Sequence, residues 1–251
     1  MTFAGNAVLV TGGNSGIGAA TVRAFAREGA AVLFTGRDHA RGAALQAELA
    51  GATAFIAGDL ADRAFAETLV PETVKRFGRL DVLVNNAGTL HRSAPAETTD
   101  EQWDVMMAVN LDAPFILSRA AVRQMRVQGG GTIVNVASEL GLVGGKGIGA
   151  YCATKGALVL LTKAMALDHA DQNIRINAVC PGEIHTPLLE GAIRARRMTV
   201  DDGLAFLGSQ VPMKRVAEPS EIASTILFLA SPAASFITGA ALSADGGSTA
   251  R

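Results

Sequence analysis

Along the chain, short runs of Val, Ile and Leu alternate with longer segments in which apolar residues recur at helical spacing. Val8-Leu9-Val10, Val82-Leu83-Val84 and Ile133-Val134 are unbroken apolar runs, the pattern of strands covered on both faces. Strands separated by helical segments predict a parallel sheet with crossover helices. We place strands near residues 7–12, 31–35, 53–57, 81–85, 132–137, 174–180 and 239–244. The fold class is α/β: a doubly wound parallel sheet of about seven strands, order 3-2-1-4-5-6-7, with helices on both faces. Residues 1–251 read as a single domain, broken only by a long charged insertion at about 186–215, placed to act as a substrate lid.

Composition narrows the possible partners. With Lys+Arg 22 against Asp+Glu 23, the formal net charge is -1, without the basic excess that binding a nucleic-acid backbone requires. No run approaches about 18 consecutive apolar residues, and no targeting segment precedes the first strand, so a soluble, cytoplasmic protein with no membrane span is expected. The two cysteines, Cys152 and Cys180, read as packing thiols, too few for a disulfide framework. There is no H-E-x-x-H and no cluster of metal ligands, so no metal is expected.

The first strand runs into Thr11-Gly12-Gly13-Asn14-Ser15-Gly16-Ile17-Gly18, and a helical segment follows. In that context the glycines form a cofactor turn and make the fold Rossmann-type: Gly12 for the tight turn, Gly16 for close approach to a pyrophosphate, Gly18 for helix–strand packing. Asn14, Ser15 and Ile17 complete the turn. The second strand ends Thr35-Gly36-Arg37-Asp38. An acidic residue at the place of Gly36 would take the ribose 2′-hydroxyl of NAD and repel a 2′-phosphate. Arg37 instead offers a guanidinium to phosphate oxygens, which favours NADP(H). The other reading makes Arg37 a solvated loop residue and gives the ribose hydroxyl to Asp38, so NAD(H) stays possible.

Tyr151 and Lys155 stand four residues apart in a helical segment and so share one face. A phenol titrates near 10 and transfers protons poorly at neutral pH unless a cation lies beside it. At about 5 Å and an effective dielectric of about 20, one ammonium favours the phenolate by roughly 3 kcal/mol, or two pKa units. The fifth strand ends at Ser138 and the fourth in Asn85-Asn86-Ala87-Gly88, both at the carboxyl edge where ligands bind in open α/β sheets.

Taken together, these motifs resemble those of the short-chain dehydrogenase/reductase family over essentially the whole chain, 3-oxoacyl-(acyl-carrier-protein) reductase-like members included. The resemblance implies hydride transfer between NADP(H) and a ketone or secondary alcohol. Tyr151 would be general acid or base, Ser138 would hydrogen-bond the substrate oxygen, and Lys155 would also hold the nicotinamide ribose. Asn110 would hold a water through its main-chain carbonyl. Pro114 has no N–H to offer that carbonyl if the segment is helical. The resemblance also implies cofactor contacts from Asp59, Leu60, Asn86, Ala87, Gly88, Pro181, Gly182, the Ile184 backbone and Thr186. Asp59 is alternatively a helix cap.

The substrate pocket is expected between Glu139–Val143, the residues before Tyr151, the loop after Asn86 and the insertion from His185. Glu139, His185, His91 and Glu183 would suit a hydroxylated or partly polar carbonyl or alcohol. Apolar helix faces around 101–124 and 152–168, with the last strand, match surfaces on which such proteins form homotetramers. Two rivals stand beside this reading. One is a 3-oxoacyl-thioester reductase that docks an acidic carrier on basic residues such as Arg126, although His169 occupies the place of the second. The other is a non-catalytic NAD(P)-binding sensor.

Overall fold

The structure is a computed structural model, and it describes residues 2–49 and 51–250. Seven parallel strands form one sheet: β1 (Ala7–Val10), β2 (Ala31–Gly36), β3 (Thr53–Ala57), β4 (Val82–Asn85), β5 (Gly131–Val136), β6 (Ile174–Pro181) and β7 (Ala241–Ala244). Their order is β3-β2-β1-β4-β5-β6-β7, as the alternation of elements predicts. β7 begins two residues later than expected.

Successive side chains of a strand serve opposite faces. Val8, Val10, Val82 and Val84 join Phe25, Phe34, Ile222 and Ile226 in one core. Leu9 and Leu83, from the same strands, join Leu69, Leu117, Met125 and Ile176 in the other. The first core is covered by α1 (Gly16–Arg27), α2 (His39–Glu48) and α9 (Pro219–Ala230); the second by α3 (Arg63–Phe77), α5 (Ala113–Gln128) and α6 (Gly149–His169). A buried polar chain ties the second layer to the sheet. Asn85 Nδ2 donates to Ser118 Oγ at 3.0 Å and Asn135 Oδ1 at 2.8 Å, and Asn135 Nδ2 donates to Thr162 Oγ1 at 2.8 Å.

α4 (Asp100–Met107), which begins in a Thr99 capping box, continues into α5 through a widened turn at residues 108–112. There the Ala113 N–H reaches back five residues to Ala108 O, and Pro114 follows where it cannot donate a helix bond. Two helical stretches, Asp100–Gln128 and Gly149–Gln172, are long and apolar enough to cross a membrane. However, 56% and 44% of their apolar windows are already buried within the fold, as expected of core helices. The segment after β6 contains α7 (Pro187–Ala195) and α8 (Val200–Gln210).

Candidate functional site

The sheet order reverses beside β1, whose neighbours β2 and β4 carry the chain to opposite sides. A crevice opens at the carboxyl ends of strands at such a point. Here it is a cleft of about 470 Å³. Every expected site residue lines it except Gly18, His91, Asn110 and His185.

Its first wall is the glycine turn. Gly12 and Gly16 have φ of +62° and +50°, in the region that glycine enters without a steric cost. A Cβ on Gly18 would fall onto the Gly12 carbonyl oxygen, so its absence from the cleft matches a packing role. Ser15 precedes α1 without capping it, and the helix has no acidic residue in its first turn. The leading N–H groups of α1 are thus left to an anion. Thr11 joins this wall to the next. Its Oγ1 accepts from the Asn86 and Ala87 N–H groups, each at 3.0 Å, while Asn86 Nδ2 donates to Thr11 O at 2.8 Å.

At the end of β2, Gly36 lies under the Asn14 side chain, which leaves no room for a Cβ. Asn14 Nδ2 in turn donates to Asp38 O at 3.0 Å. The Asp38 carboxylate caps α2, accepting from the Arg41 N–H at 3.0 Å and pairing with Arg41 Nε at 3.2 Å. Arg37 lies exposed on the cleft wall. Asp59 does not cap α3, since Asp62 does so. The Asp59 carboxylate accepts from the Ala61 N–H at 2.9 Å, within a tight turn on the cleft.

Ser138 ends β5, and its Oγ accepts from the Leu140 N–H at 3.1 Å. Tyr151 opens α6 beside it. The sequence predicts that Lys155 pulls the Tyr151 phenol down, but burial wins and pushes it up to about 12, with a hydrogen bond from Ser138 opposing the rise. Lys155 has a different contact. Its Nζ donates to Val136 O at 2.8 Å and lies 5.8 Å from the Tyr151 ring centre, while burial lowers it to about 8.

Asn110 is fully buried behind the cleft in the widened turn. Its Oδ1 accepts from the Thr89 N–H at 2.8 Å, and its Nδ2 donates to Thr89 O at 2.9 Å and Thr154 Oγ1 at 3.1 Å. The side chain is therefore engaged in holding the loop after β4 against α6.

Beyond β6, Pro181 and Gly182 lead to an isolated bridge between Ile184 and Ala217. The bridge uses groups of Glu183 and His185, not those of Ile184 itself. Thr186 caps α7, accepting from the Leu189 N–H at 3.3 Å, and packs against Gly16. His185, expected at the substrate, is turned elsewhere. Its Nε2 meets Glu190 Oε1 at 3.2 Å, and Glu218 lies 3.8 Å from Nδ1. Glu139 lines the cleft near Gly182. Arg92 and Leu140 also line it. Both fall in stretches expected to bound the pocket, but neither has a motif to single it out.

A family model described as enoyl-(acyl carrier protein) reductase matches residues 12–249, from the glycine turn to the C-terminal tail. The chain belongs to the short-chain dehydrogenase/reductase family. It is similar to an uncharacterized oxidoreductase of Thermotoga maritima, 44% identical over 253 residues and covering 100% of both chains. It is also similar to the L-fucose dehydrogenase of Mus musculus, 42% identical over 98% of this chain and 89% of that relative. The 3-oxoacyl-(acyl-carrier-protein) reductase of Thermotoga maritima is 37% identical over 98% of this chain and 99% of its own. The protein is thus an NAD(P)-dependent oxidoreductase, and its glycine cradle and uncapped α1 suit a dinucleotide.

Proposed function

We propose that this family member transfers a hydride between NADP(H) and a ketone or secondary alcohol, with Tyr151 as the proton donor and acceptor. The observation that carries the reading is that Ser138, Tyr151 and Lys155 line the same cleft as the glycine turn. The nicotinamide supplies or accepts the hydride. In reduction, the Ser138 hydroxyl donates to the substrate oxygen while Tyr151 Oη delivers its proton there. In oxidation the proton returns to the phenolate. Lys155 holds the nicotinamide ribose and, as an ammonium, steadies the phenolate, while the Asn110 carbonyl holds a water for proton exchange.

Arg37 supports NADP(H), because it is exposed on the cleft wall while the rival Asp38 carboxylate is engaged at α2. The adenosine would lie along Asp59, Leu60 and Asn86 to Gly88, and the carboxamide against Pro181, Gly182, Ile184 and Thr186. Leu188, Leu189 and Ala192 of the insertion line the cleft, which supports a lid. Exposed Phe115, Leu160 and Leu167 on α5 and α6, with Phe236 and Leu242 near β7, support a homotetramer. Carrier-protein docking gains less support, because Arg126 is engaged by Gln172 Oε1 at 2.6 Å and by the His169 ring at 3.3 Å.

The test is turnover with NADPH and NADH across cyclic ketones, keto acids, sugars and acyl thioesters, for the native chain and Tyr151→Phe. Loss of nearly all turnover in the variant, with cofactor binding kept, is the expected result. Normal turnover by the variant refutes the mechanism. Cofactor binding without activity on any substrate favours the sensor.

A further inference from the structure

Two charged side chains of the cleft, exposed Arg92 and half-buried Glu183, lie without an ion pair between them. Outside the cleft several arginines meet acids closely: Arg23 with Glu48, Arg79 with Asp81 and Arg215 with Glu221, each pair at 2.6 Å. Arg92, in the segment after β4, and Glu183, just past β6, both line the cleft. Among the described residues neither side chain makes a hydrogen bond or an ion pair. They are near enough to influence each other's ionisation, and Arg196, at the end of α7, acts on both. Burial raises the Glu183 carboxyl while the two arginines oppose the rise.

The gap between these groups restricts what fits. A substrate carboxylate reaching Arg92 would meet the Glu183 charge, and an ammonium reaching Glu183 would meet two guanidiniums. A hydroxyl is both donor and acceptor. Adjacent hydroxyls can give a hydrogen bond to Glu183 and take one from Arg92, leaving neither charge desolvated alone. Leu90, Leu140 and Leu188 line the same cleft and offer apolar contact to ring or chain carbons.

We propose that the substrate is a neutral polyhydroxylated compound, a sugar- or cyclitol-like alcohol or its ketone, whose hydroxyls beside the reacting carbon bridge Glu183 and Arg92. This rests on the hydride-transfer reading of the site and specifies its substrate class.

The test compares cyclohexanol, cyclohexane-1,2-diol, a free aldose and 3-hydroxycyclohexanecarboxylate, by turnover and by binding. Turnover is expected to favour the diol or aldose over cyclohexanol by at least about tenfold in kcat/KM, since a site built for a hydroxyl rejects an analogue lacking it. Glu183→Gln and Arg92→Met should each lower that ratio about tenfold or more, mainly through KM. Binding is read by fluorescence in the Tyr151→Phe protein with NADPH, where no turnover is needed. Polyol binding that weakens on adding Glu183→Gln supports the proposal even if the native chain turns nothing over, a result that would count against the hydride-transfer reading alone. Equal efficiency with cyclohexanol, preference for the carboxylate, or no polyol binding overturns it.

Discussion

The Lys155 ammonium lies 5.8 Å from the centre of the Tyr151 ring and gives its hydrogen bond to the Val136 carbonyl instead. The phenol, up at about 12, is fully protonated at neutral pH and ready to act as an acid. Carbonyl reduction is therefore expected to run at full rate at and below neutral pH. It should fall as pH passes about 8 and Lys155 loses its proton. Alcohol oxidation, in which the proposed mechanism has Tyr151 accept a proton, should rise with pH. Initial rates in both directions across one buffer series check this, and oxidation fastest in acid contradicts it.

Lys155 also bears on stability. Its pKa is lower in the fold than the ordinary 10.5, so the unfolded chain binds the proton more readily. The penalty is full below about 8, shrinks as pH rises and is gone above 10.5. Lys155→Met should abolish activity yet raise stability at pH 7 by roughly 2 to 3 kcal/mol, after loss of the Val136 bond is counted. Urea unfolding at pH 7 and at pH 10.5 reads this, with the advantage fading at the higher pH. A less stable variant at pH 7 would mean that the Val136 hydrogen bond outweighs the burial cost.

Asn110 clasps Thr89 from both sides, at its N–H and at its carbonyl. Asn110→Ala leaves both groups without that partner next to a buried void. We expect a loss of about 2 to 4 kcal/mol in unfolding free energy along with lost activity. A loss below about 1 kcal/mol would show that the loop holds its place without the clasp.

Arg37→Glu replaces the proposed 2′-phosphate partner with a repelling charge. The KM for NADPH should rise at least about tenfold while that for NADH stays level or falls, since charge-assisted hydrogen bonds contribute about 1.5–3 kcal/mol. An unchanged NADPH KM would return the choice to Asp38.

Much of this was legible in the sequence because it depends on local pattern. Strand order follows from apolar runs and crossovers, and the glycine turn follows from Gly12 and Gly18 standing where a side chain collides. What escaped depends on three-dimensional neighbours. That Asp62, not Asp59, caps α3 depends on which of two nearby acids faces the helix N–H groups. The phenol's rise depends on burial, which helix spacing does not report. His185 was expected at the substrate because the insertion that bounds the pocket begins there, but Glu190 and Glu218, 5 and 33 residues further on, turn it aside. Arg92 had no motif at all.

The reversal of sheet order beside β1 separates the residue proposed to choose the cofactor from those proposed to meet the substrate. The glycine turn, Arg37 and Asp59 precede residue 80, while Ser138, Tyr151, Lys155, Arg92 and Glu183 follow it. A change at Arg37 then leaves the residues proposed to meet the substrate untouched, and those can change in turn without altering Arg37. Thr11 and Asn86, sewn together across that boundary, are the seam that both kinds of change must keep.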